Sequence, residues 1–530
     1  MSNQLKLPLR GDKIEIRPMY VEEWLDSLPY VDFKNVTTLL HEALEAANQM
    51  DMKPAQRLEL IGLYNRPYQY YIDTQVKAGA NHTLQSIEMV QAQIGDMKQM
   101  ALELSTAGRR VMDESLSHKS LWGQNKFPLE AAASSMRYLS HAMIFSFLEY
   151  APVTQGLWKE INFLYQMTEK VNQQRKTVNL IGTGKKSESV TLEKLYTKAL
   201  LTYLADPYHM PFGAIWEIYQ QLKDWRGLCE LKTFATPEKA DNYFVVNLTS
   251  DNGPLAYEKF NKAKASANHR ILSTSKLVSA INTLLKDLDA DKDISDKVNI
   301  SSYYREHILT VLSRAWGNPP KRSSARKSKS GQLNMAHGLP SIFYYLNDEH
   351  EFNMSNNSSD EATDVAAFNV DKTSPADYQK VNWQLADASS GGVAVTRPER
   401  PGEILRVGDL IGMSLDEKNL PKETFRVGIL RWLLVKQNKL YRAGIEIINK
   451  QIYPAGLRSK SGSMAEKEYR RCLITGNPAK TRTLVIFTSK GLFIPDRLLE
   501  INYRNKQYQG KITGMVNSTT CFDQFNFQLQ

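Results

Sequence analysis

Cysteine is nearly missing from this chain of 530 residues: Cys229, Cys472 and Cys521 are three in number and far apart. An odd, scattered set offers neither a disulfide framework nor a zinc spacing, and it suits a reducing compartment. Long apolar runs are missing too. A membrane-spanning helix needs roughly 18 consecutive apolar residues, and the most apolar stretch, Ala142-Met-Ile-Phe-Ser-Phe-Leu148, is far shorter. Met1 to Arg17 lacks the apolar core of a secretory leader. These absences predict a cytoplasmic protein with no transmembrane segment.

Catalytic signatures are equally scarce. The nine histidines form no HExxH and no Cys/His cluster, so no metal site is expected. No GxSxG elbow occurs, and no Ser, His and Asp stand at a spacing that nominates a triad. Glu160 and Glu169 read as solvent-facing charges on one helix rather than as an acid/base pair. Gly182-Thr-Gly-Lys185 echoes the end of a phosphate-binding loop. Asn179 stands where the first glycine belongs and Lys186 where the hydroxyl residue belongs, so the cradle is missing. The expectation is a protein that is not an enzyme, with no catalytic residues, no metal and no cofactor.

What is present describes a globular, multidomain chain. Its length exceeds what one core can organise, so two to four domains are expected. Hydrophobic residues make up 42% and aromatic residues 10%, enough for substantial cores, and the formal net charge is +10. That excess fits an anionic partner or a well-solvated surface.

Residues 1–33 read as an extended N-terminal segment. From there to residue 315 the period is mainly helical. Val36, Leu39, Leu40, Ala43 and Ala47 share one face, and Pro54 starts a second helix that Pro67 should end. Ile87, Val90, Ile94, Met97, Met100, Ala101 and Leu104 recur at helical spacing in a helix over about 84–112, and their methionines read as core or as an adaptable surface. Further helices are expected over 129–150, 157–171, 212–225, 274–288 and 301–315, arranged as a bundle or a repeat-like stack. Tyr243–Leu248 reads as the one strand of this region, bounded by Asp251-Asn-Gly-Pro254. Trp316-Gly-Asn-Pro-Pro320 stops the last helix.

Two motifs follow. The first is a basic loop, Arg322-Ser-Ser-Ala-Arg326, flanked by Lys321, Lys327 and Lys329. Two arginines four apart offer planar forks that grip phosphate or guanine, or stack on a base. Left to itself the loop reads equally as an anion site, a nucleic-acid contact or a hydrated segment. The second is Asp387-Ala-Ser389-Ser-Gly391-Gly392, between the strand-like stretches Val381–Leu385 and Val393–Val395. It offers an acceptor for the N1 and N2 hydrogens of guanine, a small hydroxyl, and glycines that admit close backbone approach. The same residues also suit a plain turn.

Taken in this order, RxxxR followed by DxSxxG resembles the signature of the PilZ domain, a bacterial receptor module for cyclic di-GMP. Arg322 and Arg326 match the first part, and Asp387, Ser389 and Gly392 match the second. Arg326 and Asp387 stand further apart than is usual in that family. The excess is a polar, acidic insertion over 347–380, read as disordered and cheap to accommodate. The resemblance implies a barrel over 316–450, with a small β domain or barrel extension over 451–530. The fold class expected is multidomain α+β: an all-α helical N-terminal region, a PilZ-like antiparallel β-barrel, and a small C-terminal β domain. It also implies a ligand site made of Arg322, Arg326, Asp387, Ser389, Gly391 and Gly392, with cyclic di-GMP as ligand. The helical region would relay binding to a protein partner, from motility, pilus or exopolysaccharide machinery. Two other readings are a protein-interaction scaffold with a vestigial nucleotide site and, third, a nucleic-acid-binding protein using the basic loop. The basic cluster contains none of the aromatic partners that single strands stack on.

Overall fold

The computed structural model describes residues 6–79, 84–117, 128–181, 189–302, 304–317, 327–328, 331–350, 378–389, 391–398, 405–415, 425–436, 440–459, 468–519 and 521–530. The chain divides into two compact units: residues 1–207 with 213–321, and residues 208–212 with 322–530.

The first unit is mainly helical. The segment expected to be extended holds a small hairpin, β1 (Leu9–Arg10) and β2 (Lys13–Ile14), and then a helix, α1 (Pro18–Asp26). Proline at the first helical position starts α1, and Val21 and Leu25 bury one face. Two buried residues one turn apart give too short a period to be seen in sequence. After α2 (Phe33–Gln49), α3 (Pro54–Gly79) runs straight through Pro67 instead of ending there. Tyr64, Tyr68, Tyr71 and Ile72 are buried on both sides of that proline. Their packing outweighs an interior proline's cost of about 3 kcal/mol. Arg57 at the start of α3 donates to the carbonyls of Ala47 and Met50 at the end of α2, and forks to Glu114.

The centre of this unit is α5 (Leu129–Leu148), buried on every side. That explains the apolar stretch at 142–148: it belongs to a core helix, one that also carries Arg137, His141 and several serines and is too polar for a bilayer span. Small residues let α4 (Leu84–Ser117) approach closely, and a Cβ at Gly108 would lie 2.2 Å from the Ser135 hydroxyl. α6 (Leu157–Lys170), the β3–β4 hairpin (Thr177–Asn179, Ser189–Thr191), α7 (Leu192–Leu204) and α8 (Ala214–Trp225) follow. The predicted single strand is one of four. β5 (Glu230–Thr233), β6 (Tyr243–Asn247), β7 (Leu255–Ala256) and β8 (His269–Ser273) form an antiparallel sheet in the order β5-β8-β6-β7. Strands of two to five residues carry too few alternations to register as a period. Asp251, in the turn after β6, caps α6 by accepting from the amides of Gly156 and Lys159.

α9 (Ser275–Asp289) and α10 (Arg305–Trp316) complete the unit. Trp316, fully buried, fixes its exit. The indole N–H donates to the Leu201 carbonyl at 2.9 Å, and the Thr274 hydroxyl donates to the Trp316 carbonyl at 2.5 Å. Trp225 meets its ring edge-on at 6.3 Å.

The second unit is two barrels. β9 (Lys327–Ser328), β10 (Gln332–His337), β11 (Val381–Ala388), β12 (Gly392–Pro398), β13 (Leu410–Leu415), β14 (Arg426–Val435) and β15 (Leu440–Ile447) form one sheet, ordered β10-β13-β14-β15-β12-β11-β9. Pairing of β10 with β11 closes it. β10 is followed directly by α11 (Gly338–Leu346). The second barrel, β16 (Ile452–Ser459), β17 (Arg470–Thr475), β18 (Thr483–Thr488), β19 (Leu498–Tyr503), β20 (Lys506–Ser518) and β21 (Asp523–Leu529), closes in the order β16-β17-β18-β21-β20-β19. Ala455, Leu457, Cys472, Ile474, Leu484, Ile486, Ile501 and the Phe525–Phe527 pair fill its interior. The protein is therefore a multidomain α+β chain with a helical region followed by antiparallel barrels. No described helix is long and apolar enough to cross a membrane.

A polar latch joins the barrels. Asp409, ahead of β13, accepts from the Arg406 amide at 2.8 Å, from His337 Nε2 at 2.6 Å, and from the Cys521 thiol in the β20–β21 loop at 2.6 Å. Burial pushes its carboxyl up, but the charge and hydrogen bond of His337, the Cys521 thiol and the charge of Arg406 outweigh burial and hold it below the ordinary range.

Two outcomes follow from these contacts. Trp316→Ala empties a fully buried site and lowers the stability of the first unit by about 3–5 kcal/mol, read as a shift in its urea midpoint. A carboxyl depressed on folding stabilises fully above its unfolded value of about 3.9, and that contribution is lost as pH falls through the folded value. Asp409→Asn therefore lowers the midpoint of the second unit at pH 7, and its gap to the unsubstituted protein narrows on acidification below about pH 4.

Candidate functional site

The second sequence motif is a hairpin connection. β11 and β12 pair with Asp387 opposite Ala394 and Ala388 opposite Val393, and Ser389 and Gly391 lie at the two sides of their connection. A register shift between Leu385 and Asp387 is a bulge, and it re-aims the end of β11. The Ser389 amide donates to the Gly392 carbonyl at 2.8 Å, and the Ser389 hydroxyl donates to the same oxygen at 3.2 Å. The hydroxyl is thus oriented, and its own oxygen stays an acceptor.

The two glycines do different things. Gly392 lies against the next strand: its Cα partner is Glu446, and a Cβ there would come within 2.5 Å of the Ile445 carbonyl. Gly391 accepts from the Ile447 amide at 3.0 Å through its carbonyl, and a Cβ on it would meet nothing within 4 Å. Gly392 is needed for close approach of two backbones, while Gly391 keeps the turn open on its outer side.

Arg322 and Arg326 lie outside the described residues, as do Lys321, Lys329 and Ser390. The strand that follows the arginines is described. In β9, Ser328 pairs with Asp387 and Lys327 with Ala388. The Leu385 amide then donates to the Gly331 carbonyl at 2.8 Å, and β10 continues the ladder with Gln332 opposite Gln384. So β9 and β10 follow one edge of β11 from end to end. The residue after Arg326 sits beside the strand that carries Asp387.

The long spacing between the motifs is absorbed at α11. The acidic insertion expected over 347–380 lies mostly outside the described residues, which include its two ends, 347–350 and 378–380. Tyr344 of α11 stacks on Tyr378 with ring centroids 4.6 Å apart, and the Tyr345 hydroxyl donates to the Tyr378 carbonyl. Lys380 lies 3.9 Å from the Tyr345 ring centroid. The chain leaves and re-enters at one place, so its length does not disturb the β10–β11 register.

One neighbouring pair escaped the sequence reading. Arg431, at the bulge in β14, donates through Nε to Glu446 at 2.5 Å, directly across from Gly392. A cation interrupting the apolar run Val427–Leu434 was the available signal. Other residues raised by sequence have structural employment. Glu160 pairs with Arg109, and Glu169 pairs with Arg270. The Gly182–Lys186 stretch lies outside the described residues. Among the described residues no group of His, Cys, Asp and Glu could hold a metal ion.

The contrast between the glycines is measurable. Gly392→Ala forces the β12–β15 backbones apart and lowers barrel stability by about 1–3 kcal/mol. Gly391→Ala stays within about 0.5 kcal/mol, as a surface change does. Urea melts of the two variants side by side check this.

Comparison with known proteins bears on the same elements. Residues 20–238 match the family model described as the N-terminal domain of the cyclic-di-GMP receptor FimW. Residues 243–377 match the one described as its middle PilZ domain. The second match takes in β6–β8, α9, α10, the arginine loop, β9, β10 and α11, and ends before β11. The cyclic-di-GMP receptor FimW of Pseudomonas aeruginosa is 21% identical, over 96% of this chain and 90% of that protein. With a helical unit leading through an RxxxR loop into a closed antiparallel barrel, the chain belongs to the family of PilZ-domain cyclic-di-GMP receptors.

Proposed function

We propose that this protein binds cyclic di-GMP at the arginine loop and the β11–β12 turn, and relays binding to a protein partner. The observation that carries the reading is the β9–β11 pairing, which seats the chain next to Arg326 beside Asp387 and Ala388. Arg322 and Arg326 fork to phosphate and guanine or stack on a base. Asp387 accepts from the guanine N1 and N2 hydrogens, and the Ser389 oxygen takes a further donor from the ligand. Gly391 leaves room for the dinucleotide to lie close to the backbone. No bond is made or broken, so the role is that of a receptor rather than an enzyme.

The relay is argued from connectivity. Trp316 is anchored in the first unit, and β9 is anchored in the second. The arginine loop is the stretch of chain between these anchors. A ligand that gathers both arginines takes hold of the chain that connects the two units, and ligand contacts on a connecting segment are a common switching device. The helical unit then presents the outcome to a partner from motility, pilus or exopolysaccharide machinery, a reading that the family resemblance supports.

Calorimetric titration of cyclic di-GMP into the full chain tests the proposal, with Arg322→Ala, Arg326→Ala and Asp387→Ala alongside. Micromolar or tighter binding is expected, weakened about a hundredfold or more by each substitution, because each removes a charge-assisted contact. Absence of heat with the unsubstituted protein overturns the receptor reading and favours a scaffold with a vestigial site. Binding of RNA that falls steeply with salt, with indifference to the dinucleotide, favours a nucleic-acid reading.

A further inference from the structure

The two barrels share one strand connectivity. Around the first ring the order is β10-β11-β12-β15-β14-β13, with β13 returning to β10. Around the second it is β16-β17-β18-β21-β20-β19, with β19 returning to β16. Numbered from its own first strand, each barrel reads 1-2-3-6-5-4, antiparallel throughout. One irregularity is shared as well, while the bulge of β11 against β12 has no counterpart between β17 and β18. The fifth strand bulges against the sixth in both, at Arg431 in β14 and near Thr513 and Val516 in β20. Bulges persist as family features, so a shared bulge on a shared strand order argues for a repeated unit.

The counterpart of the motif hairpin in the second barrel is β17–β18, and its connection is Gly476-Asn-Pro-Ala-Lys-Thr-Arg482. It has neither a serine two residues after the asparagine nor a glycine at the turn's end. Asn477 is occupied instead in shaping the turn, accepting from the Ala479 amide through Oδ1 and from the Lys480 amide through its carbonyl. The counterpart of the arginine loop is the approach to β16. Only residues 448–451 separate β15 from β16, so the entry is a strand of the first barrel and cannot fold over a ligand.

The outer side of the counterpart strands is covered. Cys472 and Ile474 point into the second barrel, while Leu473 between them, paired with Phe487, packs outward. They meet Ile342 and Phe343 of α11, with Leu410, Val427 and Ile429 from the outer side of β13 and β14. Leu473, Phe487 and Ile342 are fully buried there.

From these observations, and resting for its ligand on the receptor reading above, we infer that the C-terminal barrel is a ligand-free duplicate of the motif-bearing barrel. The face that corresponds to the motif strands buttresses the first barrel. The described residues of the second barrel therefore offer no second cyclic-dinucleotide site, and α11 with β13 and β14 is held by an apolar contact rather than by ligand.

Hydrogen exchange of the full chain, with and without cyclic di-GMP, tests this together with Leu473→Ala and the milder Phe487→Leu. Ligand should slow exchange at 318–328 and 386–392 and leave 476–482 unchanged. Both variants should speed exchange in α11, β13 and β14 as well as in β17 and β18, by about tenfold or more, since the lost contact supports both barrels. Ligand protection at 476–482, or faster exchange confined to β16–β21, overturns the inference. Absence of ligand protection anywhere counts against the receptor reading alone, and the two variants still decide whether the second barrel is a buttress.

Discussion

The backbone ladder along β11 is the constraint on which the unit after the helical region depends. One edge of this strand carries β9 and β10, and the other carries β12. Because side chains alternate with a period of two, a one-residue slip would turn Trp383 out of the core and Asp387 to the other face. Trp383 and Leu333, Cα partners in the β10–β11 pair, are both buried, and they pin the register. The same register sets Ser328 across from Asp387. Core packing and site geometry are thus fixed by one set of hydrogen bonds, and the site needs no separate scaffold.

That arrangement accounts for a chain that keeps its two motifs far apart in sequence. Loop closure costs only about 0.6 kcal/mol for each doubling of length. The tyrosine stack between 344 and 378 supplies a fixed closing point. Insertion length and motif geometry are therefore nearly independent, and the acidic stretch could lengthen without moving Asp387.

How much of this was legible in the sequence follows from where each signal is stored. Amphipathic helices such as α2 and α8 announce themselves, because many residues repeat one period. The motif residues were legible through their chemistry and order. α1, the passage of α3 through Pro67, and three strands of the β5–β8 sheet were not. Each rests on tertiary packing or on elements of two to nine residues, too short to average out local propensity. β16 is hard to read from sequence for a related reason. Ile452-Tyr-Pro-Ala-Gly-Leu holds a proline and a glycine, which read as breakers until the pairing with β17 and β19 is known. Arg431 lay hidden because a bulge, which sequence does not encode in any simple pattern, decides where it points.

The duplicate barrel shows why fold and function must be argued separately. Both rings have the same strand connectivity, yet the two sequence motifs flank one of them, so function is argued from such segments and not from the fold. The first barrel is entered from the stretch that carries Arg322 and Arg326, whereas the second is entered from a strand already committed to its neighbour. A loop can close over a ligand, and a committed strand cannot. Burying Leu473 and Phe487 against α11 then removes from water apolar area that an open second site would leave exposed. A duplicated barrel that keeps its fold can lose its ligand through this difference in entry alone. What it gains is an apolar face that steadies the barrel where the arginine loop arrives.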